Sequence, residues 1–566
     1  MSEAVGSAVN VTSARERVFR FIAETCRAGR SRELIARLDI LDVATCLLIA
    51  MLAVVALLTY KDYAISNDEA VQHRYGELII AYYASGFSDQ SVFNFQNLYL
   101  YGGLFDIVAI ALSHFFSIDP FDLRHILCAL VGISGIGAAA LTARLIAGPR
   151  AGLICALALS VCGAWYGAMF NHTKDIPFAA AMIGATFFLI RIARRLPSPP
   201  VGELAAFGLL AGAALGMRVL GLLLVIYVGI AIALYMPSGP ARKDFLIQSS
   251  LRILPALILA YLVMILAWPW AALAPLNPLR GLLAFSEFQY GIRTSFAGQS
   301  YEMAEVPRFY VPAYILIRVP LLTLFGAALV LPYVLPRPLS GRNRPLPGRD
   351  IALLALTVIF PLACQVIYHG PAFTGLRHFL FILPALAIFA GIGLDAGLST
   401  LARRGQWVAA TGIAAMAASL VWDAATLVRL HPYQNLAYNS LVGGFEGASR
   451  RYDSDYWFGS MPEALHQLEA YLRNTAAVDP SWPTQVYSVA VCGERLPFEK
   501  SVTLPQLHFD FRSEWDQSEF FIAPTNMNCD HDLDGKVIGT VQRLGVAIAY
   551  IKDRRSLMSS VTISRR

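Results

Sequence analysis

Runs of about twenty apolar residues, each long enough to cross the ~30 Å hydrocarbon core of a bilayer as one helix, recur between residues 43 and 430. They begin near Val43, Ile126, Ala151, Ile176, Leu204, Val219, Ile253, Val319, Ile351, Phe379 and Trp407, about eleven in all. A soluble core has no place for so many. Composition agrees, since 56% of the 566 residues are hydrophobic and 15% charged, where soluble domains carry about a quarter charged. The net charge of +6 would suggest nucleic acid only if the basic residues gathered on one soluble domain. They are scattered between apolar runs, so no nucleic-acid partner is expected.

The arginines set the direction of the spans, because Lys and Arg concentrate on the cytoplasmic side. The first forty residues, with Arg15, Arg17, Arg20, Arg27, Arg30, Arg32 and Arg37, read as a cytoplasmic tail, and the first apolar run comes too late for an ordinary cleaved signal peptide. With that tail inside, Arg144 and Arg150, Arg191, Arg194 and Arg195, Arg242 and Lys243, Arg337, Arg342, Arg344 and Arg349, and Arg403 and Arg404 fall in cytoplasmic loops. The apolar stretch Leu104 to Ile118 breaks this alternation if it crosses, so it reads as a half-buried or interfacial helix. Tyr60 to Arg124 is then one long outer loop, with an amphipathic helix from Asp68 to about Tyr83. A second long outer loop runs from Pro275 to Pro312. The spans make up a transmembrane unit over residues 41–430.

From residue 431 to 566 charges return and short strands are expected at Gln485 to Val491, Glu519 to Ile522 and Val537 to Ile551, with a hairpin turn at Arg543-Leu544-Gly545. This is a small soluble α/β domain, placed outside by an odd number of spans. Cys26, Cys46, Cys128, Cys155, Cys162 and Cys364 lie alone in the tail or in apolar segments and read as packing residues. Cys492 and Cys529 fall in the outer domain, where an oxidising compartment allows them to pair or leaves them free.

The outer side holds the residues suited to chemistry. Ser66-Asn67-Asp68-Glu69 opens a helix just beyond the first span, and adjacent carboxylates there could abstract a proton at the membrane surface. Ser66 and Glu69 also have the spacing of a capping box, which makes Glu69 the more structural of the two. Asn171-His172-Thr173-Lys174-Asp175-Ile176-Pro177 is a five-residue loop between spans, and Asp175 there is either a cap or a second site acid crowded by Lys174 and His172. Arg218, Arg318 and Arg377, the last followed by His378, stand at outer ends of spans. They either snorkel to headgroups or bind a lipid phosphate. His73 follows Glu69 by four residues, so the pair could hold a metal ion, although a surface histidine is the simpler reading. Trp268, Trp270, Phe309 and Tyr310 have the positions of an aromatic belt.

These pieces together resemble the GT-C superfamily of integral membrane glycosyltransferases, in the branch of protein O-mannosyltransferases and the aminoarabinose transferases that act on lipid A. The matching segments are Asp68-Glu69, Lys174-Asp175-Ile176-Pro177, Trp268-Pro269-Trp270, Leu376-Arg377-His378, and His431-Pro432-Tyr433 through Asp455-Tyr456-Trp457. They cover about residues 40 to 475.

The resemblance implies a GT-C-like helix bundle that takes a sugar from a polyprenyl-phosphate donor, with inversion, and passes it to a glycan, lipid or protein acceptor. On this analogy Asp68 is the general base, Asp175 orients a substrate, and Arg377, Arg318, Arg218 or Lys174 meets the donor phosphate. Some relatives use a divalent ion and others do not. No ligand set for one is evident, so neither metal nor other cofactor is expected. The implied location is a bacterial inner membrane, with the site and the C-terminal domain on the periplasmic side. The alternative reading is a lipid or glycan transporter, which predicts charges in mid-span rather than at outer ends.

Overall fold

The computed structural model describes residues 39–286, 291–331, 348–370, 372–476 and 485–558. The arginine-rich tail up to residue 38, with Cys26, and the loop residues Arg337, Arg342 and Arg344 lie outside the described residues.

The chain is a polytopic helix bundle with a small α/β unit after the last long apolar helix. Among the described residues, seven helices are long and apolar enough to span: Ile40–Asp62, Pro120–Ala147, Asp175–Ala193, Arg242–Ala267, Gly348–Tyr368, Arg377–Arg404 and Gln406–Leu430. Two more candidates are bent, Pro149–Ser160 with Gly163–Asn171 at 67° and Tyr310–Arg318 with Leu321–Ala328 at 112°. The sharper bend has a plain cause. Pro320 cannot donate a backbone bond and drives Val319 into extended backbone, so the helix must end at Arg318. The expected spans near Leu204 and Val219 are the shorter helices Val201–Leu215 and Val219–Tyr235. At 15 residues the first is ~22 Å long, less than the hydrocarbon core. Length and composition therefore support seven spans, or nine with the bent pairs.

The loop between the first two long helices, expected on the outer side, folds as the pattern predicts. Its helices are Asn67–Ala84 and Leu104–Ser113; the second, at 10 residues and ~15 Å, is too short to cross. It buries Phe105, Asp106, Ala109 and Ile110 and leaves Val108 exposed. Small residues let the long helices approach closely. A Cβ on Gly391 would overlap the Ala151 carbonyl, and one on Gly393 the carbonyl of Gly326.

Ion pairs gather the arginine-rich ends of the helices. Arg144 pairs with Asp42 at 2.7 Å, Arg194 with Asp350 at 2.9 Å, Arg195 with Glu203 at 2.7 Å, and Arg150 with Asp395. Arg194 also donates to the Leu145 carbonyl at 3.2 Å, which ties the ends of Pro120–Ala147 and Asp175–Ala193 together. The opposite ends of those two helices carry Arg124 and Asp175.

The loop from Pro275 to Pro312 holds a hairpin, β1 (Arg293–Phe296) and β2 (Gln299–Glu302), that the sequence pattern did not predict. After the last span come β3 (Tyr487–Val491), β4 (Leu507–Asp510), β5 (Phe520–Pro524), β6 (Lys536–Arg543) and β7 (Val546–Asp553), in one sheet of order β4-β3-β5-β7-β6. Strands β4, β3 and β5 run parallel, and β5, β7 and β6 antiparallel. Strands β3, β5, β6 and β7 follow the three expected runs, the last of which folds as the expected hairpin, and the turn between β6 and β7 is Leu544-Gly545, both at positive φ. Strand β4 was not expected. Cys492 and Cys529 form a disulfide. Cys128, Cys155 and Cys162 are buried packing residues as expected, whereas Cys46 faces outward.

The aromatic-belt reading needs correction. Trp268 and Tyr310 are fully buried, and Trp268 donates to the Tyr99 carbonyl at 2.7 Å. An aromatic at a helix end reads as interfacial from sequence, but here a loop folds over it, as the Trp268 bond to Tyr99 shows.

Candidate active site

The site is assembled from helix starts and helix breaks, where backbone groups are unsatisfied and charged side chains find partners. Ser66 caps Asn67–Ala84 in a complete capping box with Glu69. The box turns Glu69 inward: its carboxylate accepts from Ser66 N at 2.8 Å, faces His125 Nε2 at 3.2 Å and Arg124 Nε at 3.9 Å, and has no exposure. Asp68, one position earlier, points the other way and meets Arg377. Of the three carboxylates expected to serve catalysis, Asp68 and Asp175 converge, and Glu69 is committed to the cap and the buried cations.

Asp175 begins its helix immediately after Lys174, with Pro177 in the first turn. Its carboxylate lies between two guanidinium groups. Arg218 donates to Oδ1, and Arg377 Nε donates to Oδ2 at 3.0 Å. Arg377 reaches both acids at once, with Nη2 donating to Asp68 Oδ2. Gly375, at φ 64°, makes the tight turn that aims this arginine, and its amide donates to Tyr310 OH at 2.9 Å.

Arg318 sits at the 112° bend, where its Nη2 donates to the Asn435 carbonyl and its guanidinium lies 4.5 Å over the Tyr438 ring. Lys174 Nζ lies 4.0 Å over the Tyr101 ring. Among the described residues neither cation has a carboxylate within the 4.0 Å of an ion pair. Burial brings the Lys174 amine down to about 8. His172 is buried as well, its Nδ1 3.8 Å from Asp175 Oδ2. Burial, then the charges of Arg318 and Arg218, push it down to about 3, so it is neutral.

His378 packs on Phe373 at 4.5 Å between ring centroids. His73 lies away from these groups, 3.6 Å from Glu77 and 5.5 Å between centroids from Phe121. Because Glu69 faces Arg124 and His125, it does not converge with His73 on an ion. Among the described residues the metal-like grouping is Cys492, Cys529 and Asp532, and its two sulfurs are taken by the disulfide.

Sequence reasoning gave no role to three neighbours of these groups. The Arg377 guanidinium lies 4.5 Å over the Trp457 ring, and His172 packs on the same ring at 4.2 Å. Tyr456 OH lies 3.0 Å from His172 Nε2. Arg124, buried beneath, bonds Asp106 at 2.7 Å and Thr173 at 3.0 Å, and so ties the first outer loop to the Lys174-Asp175 loop. Tyr456-Trp457 stood in the sequence only as the end of the last segment that matched the resembled family, with no role attached.

An apolar cavity of about 290 Å³ lies close by in the chain, lined by residues that include Phe207, Leu215, Leu222, Leu257, Met264 and Leu279. Leu215 and Leu222 bracket Arg218, so the cavity and the cation share one helix break.

Residues 109–270 match the family described as dolichyl-phosphate-mannose-protein mannosyltransferase. The matched segment contains Arg124, Lys174, Asp175 and Arg218, and it bears out the resemblance to membrane glycosyltransferases. No curated protein matches the chain. Among solved structures it is similar to ArnT from Cupriavidus metallidurans bound to undecaprenyl phosphate, at 16% identity and TM-score 0.45, over 89% of this chain and 97% of that one. It is also similar to the Archaeoglobus fulgidus oligosaccharyltransferase in the apo form, at 14% identity and TM-score 0.42, over 79% of this chain and 62% of that one.

Proposed function

We propose that this chain, a membrane glycosyltransferase of the GT-C type, moves a sugar from a polyprenyl-phosphate donor to an acceptor hydroxyl with inversion, and that Asp68 is the general base. The observation that carries the reading is Arg377 held between Asp68 and Asp175, with Arg218 on the far side of Asp175.

The chemistry follows from the charges. Asp68, the more exposed of the two acids, takes the proton of the acceptor hydroxyl. The hydroxyl oxygen then bonds to the anomeric carbon from the face opposite the phosphate. The bond from that carbon to the phosphate oxygen breaks, and its electron pair leaves on the polyprenyl phosphate. Negative charge grows on the leaving phosphate, and cations already in place stabilise it without reorganising. Arg318 and Lys174, which lack carboxylate partners among the described residues, and the guanidinium groups on Asp175 are suited to that task. Asp175 holds Arg218 and Arg377 in position and orients the sugar. The donor tail is apolar, and the cavity that Leu215 and Leu222 help to line offers it an apolar lining. On this reading the site opens at the periplasmic face of a bacterial inner membrane.

Consumption of a polyprenyl-phosphate-linked sugar by membranes carrying the wild type, Asp68→Asn or Asp175→Asn tests the assignment. Both variants are expected to lose consumption. Wild-type consumption by Asp68→Asn would remove Asp68 as the base.

A further inference from the structure

The segment that carries Trp457 under Arg377 belongs to no regular element, so something else must hold it. It runs between two residues in left-handed backbone, Arg450 at φ 58° and Phe458 at φ 53°, neither of them glycine. Such conformations persist only where the surroundings over-determine them. Part of the support comes from the bundle side: the Asp453 carboxylate accepts from Ser295 N at 2.8 Å and Tyr310 OH at 3.0 Å.

The Asp455 carboxylate also accepts from Gly459 N at 2.6 Å and Ser460 N at 2.8 Å, and a further part of the support comes from a single turn of the C-terminal sheet. Met527 and Asn528 are both left-handed, at φ 57°, and this curls the backbone after β5 so that successive side chains reach toward the bundle. Asn526 Oδ1 accepts from Ser454 N at 2.9 Å. Met527 Sδ accepts from Ser295 Oγ at 3.1 Å. Asn528 Oδ1 accepts from Arg450 Nη1 at 2.9 Å, and Asp530 pairs with the same guanidinium at 2.7 Å. Cys529 lies in the middle of this turn and is bonded to Cys492 at the end of β3. On the sheet side, Thr525 N donates to the Ile548 carbonyl at 2.7 Å, and Lys552 Nζ to the Leu533 carbonyl at 2.9 Å.

We propose that the C-terminal sheet is a brace for the active site: Asn526, in a turn closed by the Cys492–Cys529 disulfide, positions Ser454 to Trp457 and thereby the aromatic surface on which Arg377 and His172 rest. Asn526 is a positioning residue and touches no reacting atom. Loss of its oxygen frees the Ser454 amide while the sheet and the bundle stay folded. The inference rests on the proposed transferase reading for its activity consequence alone.

Hydrogen exchange of the full chain in lipid nanodiscs tests it, with Asn526→Ala, Asn526→Asp and the double variant Cys492→Ser/Cys529→Ser. Asn526→Asp keeps an oxygen acceptor for Ser454. Asn526→Ala and the double serine variant are expected to speed amide exchange in residues 453–458 about tenfold, with β5 and β7 unchanged and Asn526→Asp like wild type. With a polyprenyl-phosphate-linked sugar, Asn526→Ala is expected to lower kcat/KM about tenfold while Asn526→Asp restores it. Unchanged exchange at 453–458 in Asn526→Ala overturns the proposal, as does a rise seen only together with lost protection across β5 and β7. If the wild type consumes no polyprenyl-phosphate-linked sugar, the transferase reading falls, and the exchange result still decides the brace.

Discussion

Arg377 donates to the Asp68 carboxylate although 309 residues separate the two in the chain. The same guanidinium, through Nε, holds Asp175 at 3.0 Å, so one side chain sets the distance between the proposed base and the acid that anchors the phosphate-binding cations. Residues that act as a unit in this way have non-additive effects on rate.

Asp68→Asn is therefore expected to lower kcat by about 10²- to 10⁴-fold, the range for loss of a general base. Arg377→Ala should lower it comparably, and the double variant should be no worse than about threefold below the worse single one. Initial rates of sugar transfer measure this. Fully multiplicative losses would mean that the two residues act independently.

Binding of the released polyprenyl phosphate, the leaving group of the proposed reaction, should depend on pH through Lys174, whose amine is brought down to about 8 by burial. The ammonium is present below that pH and lost above it, whereas a phosphate monoester, with its second pKa near 6, is already doubly charged at pH 7. The dissociation constant for polyprenyl phosphate should thus rise about tenfold between roughly pH 7 and 9.5, as one charge-assisted hydrogen bond is lost. Lys174→Met should bind weakly at every pH in that interval. A sloping profile in the variant would assign the titration to another group.

Glu69 and Asp68 are neighbours with opposite fates, and their variants should separate stability from chemistry. Glu69→Gln leaves His125 without the anion that faces it and Arg124 with Asp106 alone, in a fully buried cluster. Breaking a buried ion pair from one side costs about 3 kcal/mol. Thermal unfolding followed by fluorescence should show a clear drop in Tm for Glu69→Gln and little change for Asp68→Asn. Equal Tm values for Glu69→Gln and wild type would count against the structural role of Glu69.

Gly167 packs where a side chain has no room, since a Cβ there would overlap the Asn435 backbone. The carbonyl of Asn435 is the acceptor for Arg318. Gly167→Ala should cost about 1–3 kcal/mol through overpacking and weaken polyprenyl phosphate binding by displacing Arg318. Isothermal binding to the folded variant, below its lowered Tm, checks the second effect. Unaltered affinity would show that Arg318 does not depend on that carbonyl.

Local pattern carried much of this molecule. Every one of the expected apolar runs falls on an apolar helix, because length and hydropathy are properties of contiguous residues. The Ser66–Glu69 capping box and the Leu544-Gly545 turn were legible for the same reason, since each bond closes within a few residues. Strand β4 was not, because four residues carry too little alternation to stand out. Trp268 and Tyr310 were misread as interfacial because burial depends on which loop folds over a ring.

An arginine at a helix end has the same sequence signature whether it snorkels to headgroups or pairs with a distant acid. Chain pattern alone thus established the helical bundle, its arginine-rich end, the capped helix Asn67–Ala84 and a set of isolated charges. Which of those charges meet was settled by packing. The bend at Val319-Pro320, the break at Arg218 and the turn at Gly375 bring three arginines from separate helices to neighbouring positions. A contact between residues hundreds of positions apart leaves no periodicity in the chain, and the energy of a buried charge depends on the partner that folding places opposite it.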